Sequence, residues 1–365
     1  NKPSSTRLSM VCFNKIFNLT RYLNKEESMK FYLLPLLLLS LSYYISSAPT
    51  EITILFTNDV NGRPLAFSYN EEDGMGGLAA RATLIKKLVG DKKKNNVLIL
   101  DTGNFLLGRP ESNLNNGIPD LIGMNKCGYD AVGLGYAEVY KSKKYFESIN
   151  KVADFNLLSS NIKEQDGSGK QTEIADTEFI KKFGNITVGI FSVTSEDAKI
   201  HFTDDALKDL VIDDPLKTAK NSVDRIKEKY KTDIVIGLTT LGYYEDNSKI
   251  GSNTLASNVS GIDIIIDGNT GLKIEEPILI NKTRIVQAFR YGLFVGEIKL
   301  KVDNKKIVDF QYKLHPVNYK EQGQYIGTKL DEDQAVLKAI KGKMGSYDNL
   351  LNKKIANIKT GTFDV

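Results

Sequence analysis

Residues Glu51 to Arg63 read EITILFTNDVNGR. The first half, Glu51 to Phe56, is an apolar run of strand length and β-type composition. The second half turns polar at once, with Asp59 at the mouth of the run. An acid at the carboxyl end of a buried strand is a common place for a metal ligand or a catalytic carboxylate. Such a site usually recruits a histidine or a second acid close by, and Asn61 is neither. Asp59 is therefore either the first ligand of a metal site or what is left of one.

The same pattern repeats downstream. Apolar runs of strand length occur at Ile52–Phe56, Val97–Leu100, Asn156–Leu158, Ile186–Val193, Ile234–Leu238 and Ile262–Ile266. Segments of helical period lie between them at Leu78–Val89, Leu114–Cys127, Tyr145–Val152 and Leu216–Tyr230. Strands that are apolar nearly throughout, alternating with helices, predict an α/β fold with sheets buried on both faces. Two antiparallel hairpins follow, one around Asn281–Lys282 and one around Asp303–Asn304, and a helix is predicted over Asp331–Leu351. Polar, glycine-rich turns follow the strands: DTGNFLLG from Asp101, GLGYAE at Gly133–Glu138, LTTLG at Leu238–Gly242 and DGNTG at Asp267–Gly271. With Asp59 they make five turns that can converge on one crevice at the carboxyl ends of the strands.

Bulk composition narrows the function classes. The 365 residues suffice for one large domain or two ordinary ones, and 41% hydrophobic with 26% charged residues fits a globular chain with a substantial core. The formal charge of +4 comes with no dense basic stripe, so nothing argues for nucleic acid as a partner. Runs such as DKKKNN read as solvated loops. The two cysteines, Cys12 and Cys127, make no disulfide framework and no C-x-x-C. His201 and His315 are the only histidines and fall in no motif spacing, which limits metal and acid–base chemistry.

From Met29 the chain reads MKFYLLPLLLLSLSYYISSAPT, one lysine, an apolar core and small residues around Ser46, Ser47 and Ala48. That is the layout of a secretory signal peptide over residues 29–48, with cleavage after Ala48 and residence in the periplasm or outside the cell. The run is short for a membrane span, which needs roughly twenty apolar residues, so no stable membrane anchor is expected. Residues 1–28 read as a non-native or mis-called extension. The expected domains are a main body over 49–330 and, over 331–365, a connecting helix with the start of a second domain.

The ordered series ILFTNDVNGRP, GGLAARATLIKKL, NVLILDTGNFLLG, LIGMNKCGYDAVGLGYAE, LLSSNI, IVIGLTTLG and IDIIIDGNTG resembles the N-terminal metallophosphoesterase domain of the 5′-nucleotidase family. The resemblance implies a calcineurin-like four-layer α/β/β/α sandwich, two divalent metals and hydrolysis of nucleotide phosphoesters. It also implies a C-terminal domain that stacks the nucleobase, reached through a helix like the one at Asp331. The ligand motifs depart from the family pattern. Its D-x-H is Asp59 with Asn61; its G-D-x-x-x-G has Asn104 in place of the bridging aspartate; its G-N-H-E has Tyr136 for the asparagine and Ala137 for the catalytic histidine. The histidine of its L-T-H-L-G is Thr240, and those of G-H-T-H are Asn269 and Gly271. Asp59 alone is retained.

Asn104 removes the charge that would make two adjacent cations tolerable, and a two-metal mechanism needs both ions. Amide oxygens suit hard ions and bind transition metals weakly without imidazole. Ala137 cannot protonate a leaving group, and Tyr136 is bulky enough to fill the metal cavity. The expectation is a catalytically inactive pseudoenzyme, with no catalytic residue, no assigned substrate-binding residue and no resident cofactor. It would keep a binding role toward a nucleotide-like or protein ligand, with Asp59 accepting backbone N–H bonds at its strand end. The alternatives are an active 5′-nucleotidase of nucleotide catabolism with an atypical site for Mn, Zn, Co or Mg, and a surface interaction protein. Gly76 and Gly77 open a helix and offer N–H groups to an anion or simply turn the chain. Arg81 is read as a surface ion-pair former, with a phosphate contact as the alternative, Cys127 as a buried small hydrophobe, and Asp101 and Glu138 as framework around the crevice.

Overall fold

In the computed structural model, which describes residues 49–90, 96–246 and 248–345, the opening apolar run forms strand β1 (Thr50–Thr57). Ile52, Ile54 and Phe56 point into one core and Leu55 into another. Both faces are covered, which is why this strand does not alternate. The other strands of the two main sheets are β2 (Val97–Asp101), β3 (Ala131–Gly133), β4 (Asn156–Leu158), β5 (Glu178–Phe183), β6 (Ile186–Thr194), β7 (Ile234–Thr240), β8 (Ile264–Asp267), β9 (Ile278–Ile280), β10 (Thr283–Val286), β11 (Phe294–Asp303) and β12 (Lys306–Pro316). One six-stranded sheet has the order β12-β11-β1-β2-β3-β4; the other runs β9-β10-β8-β7-β6-β5. Strands β1 to β4 are parallel, as are β6, β7, β8 and β10. β11, β12, β5 and β9 join antiparallel at the outer positions.

The sheets pack face to face. Ile54, Phe56, Leu98 and Leu100 of one meet Val188, Ile190, Ile236 and Ile266 of the other. On the outer face of the first sheet lie α1 (Leu78–Val89), α2 (Ile118–Cys127) and α3 (Lys143–Asn150). On that of the second lie α4 (Pro215–Tyr230) and α5 (Ser252–Asn258). The order of layers is helix, sheet, sheet, helix, so the four-layer α/β/β/α sandwich expected of the metallophosphoesterase type is the fold observed. A further helix, α6 (Gln334–Lys341), packs against α1 and α2 and sends Val336 and Ile340 into the same core.

Several boundaries differ from the sequence expectation. The helix predicted over Leu114–Cys127 begins only at Ile118 as α2, after Gly117, and a separate helical turn, Pro110–Asn113, precedes it. Gly117 has φ 76°, and a Cβ there would lie 2.5 Å from Leu106 Cδ2. The helix expected at Tyr145–Val152 begins two residues earlier, at Lys143, because the Ser142 hydroxyl accepts the N–H of Tyr145 at 3.2 Å and fixes the first turn. Within the second hairpin the turn is Asn304–Lys305, both at positive φ, rather than Asp303–Asn304. Strand β5, EFIKKF, was not expected; as an outer strand it tolerates its lysines. The predicted helix over Asp331–Leu351 starts only at Gln334, where the Asp333 carboxylate caps the N–H groups of Ala335 and Val336. The expected extension (1–28), signal peptide (29–48), most of the DKKKNN run and the segment beyond 345 lie outside the described residues. No helix among the described residues is long and apolar enough to cross a membrane.

Candidate functional site

The parallel strands of both sheets end at one rim. Thr57 pairs with Asp101 in one sheet, and Thr194 with Thr240 and Thr239 with Asp267 in the other. The turns beyond carry Asp59, Asn61, Asn104 and Asn269 at positive φ, between 48° and 77°. Asparagine and aspartate tolerate that left-handed conformation better than other residues with side chains, so the local backbone favours these residue types.

The turns enclose two adjoining cavities. One, of about 140 Å³, is lined by Asp59, Asn61, Asn104, Tyr136, Asn269, Thr270, Gly271, Arg290 and Tyr291. The other, of about 150 Å³, lies across Asn104, Tyr136 and Asn269 and includes Thr194, Thr240 and His201. Asp59, Asn61, Asn104, Tyr136, Asn269 and Gly271 thus meet in the first cavity, and Thr240 opens on the second. Ala137 lines neither; it is fully buried, and its N–H reaches Asn104 Oδ1 at 3.5 Å. Tyr136 does not fill the first cavity. Its ring stacks on His201, with centroids 4.2 Å apart, and forms the wall between the two spaces. Larger grooves occur elsewhere, such as one of about 460 Å³ beside Glu51, Lys299 and Asp309, away from these turns.

No protein-family model matches the chain. In sequence it is 30% identical over 340 residues to a 5′-nucleotidase of Vibrio vulnificus, a match covering 84% of this chain and 60% of that protein. In structure it resembles a 5′-nucleotidase precursor from Thermus thermophilus (TM-score 0.68, 21% identity, 84% of this chain and 61% of that one). It likewise resembles the calcineurin-like phosphoesterase YfkN from Bacillus subtilis (TM-score 0.67, 21% identity, 84% of this chain and all of that one). Its sequence relatives are thus named 5′-nucleotidases, and its fold is that of the 5′-nucleotidase and calcineurin-like phosphoesterase structures. The chain spans about 60% of the length of the curated relative it matches.

The crevice of this 5′-nucleotidase-like chain does not present the donor set of a two-metal site. Asp59 is the one carboxylate lining the first cavity, and both its oxygens are already engaged; Asp197, on the second, pairs with Lys249 at 2.9 Å. Asp59 Oδ2 accepts the Asn269 N–H at 2.7 Å and the Asn58 amide at 3.1 Å; Oδ1 accepts the Asn104 amide at 3.3 Å. Asn104 turns its nitrogen, not its oxygen, toward Asp59. Burial raises the Asp59 carboxyl above its ordinary range, while these donors and the Arg290 charge pull it back. Among the described residues no three His, Cys, Asp or Glu side chains gather to hold a metal ion. One carboxylate that already accepts three hydrogen bonds, beside an arginine, does not fit two divalent cations.

Buried acids hold the turns in place. Glu138 accepts the N–H groups of Asn104, Phe105, Leu106 and Gly135 at 2.9–3.1 Å. Asp101 takes the Thr57 hydroxyl and the Gly103 N–H. Asp267 takes the Thr239 hydroxyl, the N–H groups of Leu241 and Gly242, and the Gln287 amide. Burial pushes their carboxyls up to about 7, 8 and 6 respectively. Cys127 is buried and donates to the Leu78 carbonyl at 3.7 Å, as a small hydrophobe would.

One sequence expectation fails. Arg81 is no surface residue: it is fully buried, and its guanidinium reaches the Tyr129 hydroxyl, which contacts Thr57 and, through it, Asp101. Of the two readings of Gly76–Gly77, the plain loop-to-helix turn is the one observed: both glycines are buried, and the N–H groups of Gly76 and Leu78 are spent on Val317 O and Pro64 O. Sequence reasoning also missed Arg290, Tyr291 and His201. The signal for the first two was available: FRYG follows β10, a further parallel strand ending at the same rim.

Proposed function

We propose that this chain is a 5′-nucleotidase-fold binding protein that does not hydrolyse phosphate esters. The observation that supports this reading is the state of Asp59, the one ligand of the family pattern that the chain retains. Three N–H donors occupy its carboxylate where a metal would need free lone pairs. Ala137 adds to it, since a buried methyl group can neither donate a proton nor stabilise a leaving oxygen. The fold survives because its stability comes from the two sheets and the Glu138, Asp101 and Asp267 anchors, none of which requires a metal.

The test is phosphate release from AMP, UMP and bis(4-nitrophenyl) phosphate with Mn²⁺, Zn²⁺, Co²⁺ or Mg²⁺ supplied in turn. The expected result is no release above the protein-free control. Turnover that disappears in Asp59→Ala would establish instead an active nucleotidase with an atypical metal site.

Export belongs to the same proposal. The 29–48 segment has the charge, apolar core and small-residue exit of a leader, and the folded body begins just after it at Thr50. Intact mass of protein recovered from a secreting host should correspond to cleavage after Ala48; an uncleaved leader would contradict this.

A further inference from the structure

The geometry points to Arg290 as the cation of a metal-independent receptor for one phosphate-sized oxyanion, in the crevice where relatives of this fold would place metals. This deepens the binding role proposed above and rests on it in one respect: no divalent pair occupies the space beside Asp59.

Arg290 sits in the turn after β10 and lines the 140 Å³ cavity. Its Nε donates to Gly271 O at 3.3 Å and one Nη2 hydrogen donates to Thr270 O at 3.2 Å. Those two bonds fix the plane of the guanidinium against the 269–271 turn. A guanidinium has five N–H donors, so three remain. Among the described residues Arg290 makes no ion pair. The side-chain amide of Asn61, on the same wall, likewise has no hydrogen-bond partner among the described residues. A second cation stands at the rim: Arg63 lies over the Tyr291 ring at 3.4 Å and donates to Asn61 O at 2.6 Å.

Formal charge alone does not decide between an anion and a cation here, since Arg290 and Asp59 both face the space. Hydrogen bonding decides it. The Asp59 oxygens accept from three donors, whereas three of the five Arg290 N–H groups and the Asn61 amide have no protein acceptor among the described residues. An incoming oxyanion replaces water at donors that have no protein acceptor; an incoming cation must compete with Asn269, Asn58 and Asn104 for Asp59. Planar arginine donors match the oxygen spacing of phosphate. A space of about 140 Å³ admits one tetrahedral oxyanion but not a whole nucleotide, so an ester would leave its organic part along Tyr136 or Tyr291.

The experiment titrates the full chain, dialysed against EDTA, with inorganic phosphate and separately with AMP, by isothermal calorimetry. Phosphate should bind with the chelator present. Arg290→Gln should weaken it at least about tenfold, with Arg290→Lys in between. Asp59→Asn should tighten it, because the carboxylate beside the anion is gone. Tighter binding of AMP than of phosphate identifies an ester headgroup as the ligand; equal or weaker binding identifies the free anion. Circular dichroism and thermal unfolding confirm that each variant folds, and Asn61→Ala serves as a second weakening variant. No phosphate binding, binding only after Mn²⁺ or Zn²⁺ is restored, or unchanged affinity in folded Arg290→Gln overturns the proposal. Phosphate released from AMP in a parallel metal-loaded sample would refute the inactivity reading separately.

Discussion

Glu138 is fully buried, and one side chain satisfies four backbone N–H groups from two turns. Glu138→Ala leaves all four without an acceptor and should destabilise the fold by about 3 kcal/mol or more, read as a shift in the urea midpoint. Gly292 is a second sensitive point. It has φ 62°, and a Cβ there would collide with the Arg81 guanidinium. Gly292→Ala should cost about 2–4 kcal/mol in the same assay, since neither the backbone nor the buried arginine can give way cheaply; a neutral result would mean that Arg81 is not packed as described. Arg81 also shows why residue-level reading fell short. Leu78, Arg81, Ala82 and Ile85 share one buried helical face, so the spacing placed Arg81 inside. The rule that arginine seeks water argued the opposite. Only the tertiary partner, the Tyr129 hydroxyl on the turn before β3, resolves that conflict, and nothing local to the helix reveals it.

Among the elements, the long buried strands were legible because their composition and length agree. β1, β2, β4, β6 and β7 appear within two residues of where their apolar runs predict them. Short or mixed elements were not. EFIKKF carries two lysines, and the α5 segment SNTLASN has no apolar period of its own. Each is held by its neighbours: β5 by antiparallel pairing with β6, α5 by packing Leu255 and Ala256 on the second sheet. Helix α6 makes a prediction at this scale. Asp333 caps its first turn and pairs with Lys86 of α1. Asp333→Ala should lower stability by about 1 kcal/mol, mostly the lost cap, because the ion pair is partly solvated. A change as large as that of Glu138→Ala would show that α6 anchors more of the core than its two buried side chains imply.

For the molecule as a whole, the buried acids set the pH response. Asp101, Asp120, Glu138 and Asp267 have folded-state values raised to between about 6 and about 8. The folded state therefore binds protons that the unfolded chain has already lost. That contribution is complete below the ordinary carboxylate range and fades as pH rises through 6 to 8. Exposed acids such as Asp166 and Asp246 are shifted down and act oppositely, losing their contribution only below about pH 4. The unfolding temperature should thus peak near about pH 4 to 5 and fall toward pH 8; a peak above pH 8 would contradict the burial of these carboxyls.

The architecture was legible at this scale from the alternation of buried strands and helices, and the convergence of turns from the acids and glycines at strand ends. The state of the site was legible only in part: the sequence marks which ligand types are absent, but not that Asp59 is occupied or that Arg290 stands beside it. The most direct test of that account is metal content. Purified protein equilibrated with excess Mn²⁺ or Zn²⁺ and then dialysed free of unbound ion should retain well below one equivalent per chain by elemental analysis. Two equivalents, lost in Asp59→Ala, would contradict it.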